Sequence, residues 1–141
     1  MKKRFPALIL ALALLTVPVR AAQTDSTDNF VRSKTYAGQF SDLTTDSTFY
    51  SNVTALYEYG LSVGKADGTF GLRDPMTVGQ VVIFAARIRS LYRTGDPEAG
   101  SRAYSGEDGP VALSYLRYLQ AEGVLGTEFD QLLYTTATRV Q

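Results

Sequence analysis

The residues best placed to do chemistry lie in one stretch, KADGTFGLRDPMTVGQ, from Lys65 to Gln80. It combines two acids, Asp67 and Asp74, with two glycines, Gly68 and Gly71, and a lysine. A calcium loop of the EF-hand kind needs oxygen ligands at alternate positions around a sixth-position glycine. With Gly68 sixth, Val63 falls first and Lys65 third, and neither side chain supplies oxygen. A phosphate cradle needs Gly-x-x-x-x-Gly-Lys-Ser/Thr after a strand. Here Lys65 precedes the glycines, so that reading fails too. What remains is a shaped turn: Gly68 and Gly71 supply positive φ, and Phe70 pins the loop to a core.

The rest of the chain offers little more to a catalyst. It has no histidine, the commonest general base and transition-metal ligand, and no cysteine. Thiol catalysis and structural zinc are thereby excluded. Glu107 and Asp108 are adjacent acids on a glycine-rich loop, which reads as solvated carboxylates rather than a glycosidase pair. Arg87, Arg89 and Arg93 read as a solvated basic face. The tyrosines at helical apolar positions read as core, with one or two free to stack on sugar faces. No catalytic residue, metal-ligand set or cofactor is assigned.

The elements that must position these residues follow from periodicity and punctuation. Residues 1–21 have a basic start at Lys2, Lys3 and Arg4, an apolar run, and small residues near Ala21, which is the pattern of a signal peptide. The apolar run is shorter than the ~20 residues of an ordinary spanning helix. The whole chain balances 14 basic against 14 acidic side chains. Without Lys2, Lys3, Arg4 and Arg20 the remainder is net acidic, which argues against nucleic acid as a partner. Residues 22–35 read as a mobile polar lead-in. Phe49, Val53, Leu56 and Tyr57 mark one helix face, predicting a helix over 48–59 with Asp46 or Ser47 as cap and Gly60 as stop. Thr77 and Gln80 form a capping box for a second helix over 78–94, ended by Gly95. Residues 96–102 read as a linker, and a third helix restarts at Pro110.

The second half repeats the first. Tyr50, Val53, Leu56 and Gly60 lie over Leu113, Leu116, Leu119 and Gly123 at one offset. Phe40 has a counterpart in Tyr104. Thr138 to Gln141 repeats the Thr-x-x-Gln of Thr77 to Gln80. The unit is an aromatic lead-in, a helix, a glycine stop, a loop and a capped helix. Repeat 1 spans 36–95. Repeat 2 spans 103–141 and halts at the cap of its last helix.

On the residues Phe40, Asp42, Tyr50, Val53, Leu56, Gly60, Gly64, Asp67, Gly68, Thr69, Phe70, Pro75, Thr77 and Gln80, the chain resembles an S-layer homology repeat. The resemblance is close over 36–93 and looser over 103–141. It implies a mainly α fold of helix-loop-helix repeats, one complete and a second truncated, expected as part of a three-repeat pseudo-trimer. It implies non-covalent anchoring of an exported protein at the cell surface. The partner would be an anionic, pyruvylated secondary cell-wall polysaccharide, with further repeats in cis or in an oligomer. Arg139 matches the arginine that such repeats use to bind the polymer, whereas Val78 stands at that position in repeat 1. The implied binding set is Arg139, Asp42, Tyr50, Gly64 and Thr77. Phe40, Gly60, Asp67, Gly68, Thr69, Phe70 and Gln80 are its structural residues. The other reading is an anchoring fragment of a longer exported cell-wall enzyme whose catalytic domain lies beyond residue 141.

Overall fold

A computed structural model describes residues 24–138. The signal peptide assigned to residues 1–21 and the contact assigned to Arg139 lie outside them. Among the described residues the chain is mainly helical and contains no strand. Its helices are α1 (Tyr50–Glu58), α2 (Val78–Thr94), α3 (Ala99–Arg102) and α4 (Ala112–Ala121), with 3-10 turns at Thr27–Asn29 and Thr127–Gln131.

Local chemistry explains where the helices stop and start. After α1, the Leu61 amide donates to the Leu56 carbonyl at 2.9 Å and the Gly60 amide to Tyr57 at 3.0 Å. After α4, the Val124 amide donates to Leu119 at 2.9 Å and the Gly123 amide to Gln120 at 3.0 Å. Gly60 and Gly123 hold φ of 72° and 69°, the left-handed conformation this closure requires. The same bonds recur at the offset read from the sequence, so both glycine stops are one structural device used twice.

At the start of α2, Gln80 donates its amide to the Thr77 hydroxyl at 3.2 Å and accepts the Thr77 amide at 2.8 Å. This is the expected capping box. The start of α1 differs from expectation. Phe49 occupies the cap position without a side-chain bond, and the Ser47 carbonyl accepts the Tyr50 amide at 2.9 Å. Of the two expected caps, Ser47 acts here: its hydroxyl accepts the Phe49 amide at 3.3 Å beside the turn its carbonyl closes.

Two apolar clusters form. In the larger, Val78, Val82 and Ala86 of α2 pack on Ala112, Tyr115, Leu116 and Leu119 of α4, with Leu133 closing one end. The principal core therefore joins α2 to α4. The smaller cluster gathers Phe40, Leu43 and Val53, flanked by Tyr36, Tyr50, Tyr57, Phe70 and Leu72. Its rings meet edge-on or tilted, as with Tyr36 and Tyr50 at 6.0 Å between centroids.

Three sequence expectations change here. The polar lead-in is docked, because buried Asn29 donates its side-chain amide to the Thr24 carbonyl at 2.9 Å and to the Tyr92 carbonyl at 2.6 Å. The stretch 96–102 contains α3, tied to α2 by buried Ser90, whose hydroxyl donates to the Asp96 carbonyl at 2.7 Å and accepts the Gly100 amide at 2.9 Å. The three arginines of α2 are paired rather than merely solvated. Arg87 donates to Glu98 at 2.8 Å, Arg89 to Glu122 at 3.1 Å, and Arg93 bonds Glu122 and lies 3.4 Å from Asp25. They bind α3, α4 and the lead-in to one helix.

Candidate functional site

The loop from Lys65 to Asp74 is built on its own turn. Asp67 accepts the Thr69 amide at 3.0 Å and the Thr69 hydroxyl at 2.6 Å. The Lys65 amide donates to the Thr69 carbonyl at 2.7 Å, and Gly68 and Gly71 hold φ of 79° and 87°. Phe70 leaves this turn to pack on Phe40, with ring centroids 5.5 Å apart. A Cβ at Gly64 would lie 2.3 Å from the Phe40 ring, so that position admits only glycine beneath the ring.

Asp42 ties this loop to the segment before α1. Its Oδ1 accepts the Phe70 amide at 2.7 Å, and its Oδ2 accepts the Gly71 and Leu72 amides at 2.9 and 3.2 Å. The Phe70 amide bond is the main cause holding the Asp42 carboxyl below its ordinary value. Partial burial opposes it, and the Gly71 and Leu72 bonds add to it.

Between the turn Asp42–Phe49 and this loop lies an open cleft of about 640 Å³. Asp42, Asp46, Phe49, Lys65, Asp67, Thr69, Arg73 and Asp74 are among its lining. Lys65 reaches Asp74 at 2.7 Å and Asp67 at 3.5 Å. A second recess of about 330 Å³ is lined in part by Arg102, Tyr104, Glu107 and Val111.

Of the residues singled out in the sequence, Asp42, Asp67 and Thr69 reach the first cleft. Phe40, Tyr50 and Phe70 pack in the aromatic cluster behind it. Gly64 sits under Phe40, and Gly60 closes α1. Thr77 and Gln80 cap α2, away from the cleft lining. The start of α2 is itself covered: the Val78 amide donates to the Thr135 carbonyl at 2.8 Å and the Gly79 amide to Leu133 at 2.9 Å. Val78, at the position of the expected arginine, is 3% exposed and belongs to the core. Sequence reasoning passed over Lys65 and Arg73 as lining residues. Their signal was available: two cations on a loop whose only apolar anchors are Phe70 and Leu72.

Such an arrangement can hold a polar chain molecule in an open trough with one exposed ring, Phe49, at its edge. Among the described residues no group of acids is placed to hold a metal ion, and no helix is long and apolar enough to cross a membrane. Helices joined by glycine-stopped loops, with an open trough beside one loop, are what the described residues form. Residues 39–80 match the family model of the S-layer homology domain. Such domains are anchoring modules that bind cell-wall polymers. No curated protein and no solved structure matches the chain.

Proposed function

We propose that this protein is exported and anchors itself non-covalently to the cell wall by binding an anionic, pyruvylated secondary polysaccharide. The observation that carries this reading is the S-layer homology match over residues 39–80, the stretch that builds the first cleft. Arg139, on the Thr-x-x-Gln echo of the capping box, is the polymer contact assigned to repeat 2. A guanidinium grips a carboxylate through a planar, charge-assisted fork. Further repeats, in cis or from another copy, would complete the pseudo-trimer.

The test is co-sedimentation of the leaderless protein with purified wall sacculi, before and after the secondary polymer is extracted with acid. Binding to intact sacculi and loss of binding after extraction supports the reading; equal binding to both overturns it.

A further inference from the structure

The first cleft has two cations on its lining, and only one is free to meet a ligand. Lys65 is shared between Asp74 and Asp67. Arg73 is exposed and makes no hydrogen bond, ion pair or ring contact among the described residues. The other described lysines and arginines each have a carboxylate or an aromatic ring as partner. The acids of the lining are occupied as well. Asp42 accepts backbone amides, Asp67 accepts from Thr69, Asp46 accepts from the Thr44 hydroxyl, and Asp74 holds Lys65. Among the charged side chains of the lining, the planar fork of Arg73 is the one without a partner among the described residues. Phe49, on the same lining, is 56% exposed and offers an apolar ring to a sugar face.

The start of α2 gives an anion nothing to bind, since Val78 is buried and its amide and that of Gly79 are taken. We infer that the first repeat grips a carboxylate-bearing sugar through Arg73, with Phe49 as its stacking platform, in place of the missing arginine at position 78. This rests on the anchoring reading above. The lining carries more acids than cations, so a carboxylate enters only where Arg73 meets it, and the remaining field repels it.

The experiment titrates the leaderless chain and its Arg73→Gln and Arg73→Lys variants with two hexosides, one bearing a pyruvate ketal and one without it. Co-sedimentation with sacculi runs alongside. Arg73 is exposed and makes no hydrogen bond, ion pair or ring contact among the described residues, so circular dichroism should be unchanged in both variants. The wild type should prefer the acidic hexoside. Arg73→Gln should weaken that affinity about tenfold, the effect of losing a charge-assisted pair. It should leave the neutral hexoside unchanged, and Arg73→Lys should fall between. If the wild type sediments with sacculi but fails to bind the acidic hexoside, or binds it no better than Arg73→Gln, this inference is overturned and anchoring stands. If the wild type binds neither sacculi nor hexoside, both readings fall.

Discussion

Asp42 shows how one residue can hold a functional loop in shape. Three amides that belong to residues about thirty positions later converge on its two oxygens. Asp42→Ala leaves them without an acceptor in a half-buried setting, a loss expected to cost about 1.5–3 kcal/mol. The sign of the pH effect follows from the depressed carboxyl. Its folded value lies below the ordinary 3.8, so its stabilisation is complete above that value and is lost as pH falls through the lowered one. Urea midpoints of wild type and Asp42→Ala should differ at neutral pH and converge on acidification below 3.8. Curves that stay parallel would contradict this account. The motif Phe-x-Asp was legible in the sequence. What the aspartate bonds was not, because its acceptor role depends on a loop folded back from far along the chain.

At the scale of elements, α2 organises the molecule. Its amino end is capped twice over: by the Thr77 and Gln80 side chains, and by the carbonyls of Leu133 and Thr135. Gly79 makes the second possible, since a Cβ there would stand 2.8 Å from the Leu133 carbonyl oxygen. Thr77→Ala should therefore cost only about 1 kcal/mol, the usual worth of a cap, and leave α2 helical. Ending the chain after Leu132 should lower the denaturation midpoint further than Thr77→Ala. It frees two helix amides and also removes buried Leu133 from the core. A smaller loss from the truncation than from the point variant would refute the double cap. The capping box was readable because both partners lie within one turn of chain. The second cap was not, because more than fifty residues separate its halves. Likewise Arg89 and Arg93 looked like a solvated face until Glu122 and Asp25 were brought beside them.

For the molecule as a whole, the two clusters divide the stability unevenly. The α2–α4 core includes Leu116 and Leu119, both at 1% exposure or less, whereas α1 packs chiefly on aromatic loop residues. Leu116→Ala should cost about 2–5 kcal/mol, the range for emptying a closely packed leucine site. Hydrogen exchange should find the amides of α2 and α4 most protected, with those of α1 opening at lower free energy. Equal protection across all three helices would show one undivided core instead. This division has a functional consequence. The cleft leans on the smaller cluster through Phe40, Phe70 and Asp42, so its shape is set by the less protected part of the fold.

The amino-acid sequence alone determined α1, α2 and α4, their glycine stops, the capping box, the turn at Asp67 to Gly71, and the family likeness. These depend on neighbours within a few residues, where spacing is the geometry. Tertiary structure decided which helices pair, that the lead-in is docked, and that α2 is capped by a distant strand of chain. It also decided that Val78 is core and that Arg73 is the lining cation with no partner among the described residues. Those outcomes depend on which charges and carbonyls meet across long separations. Packing selects among them, and no local pattern records the choice.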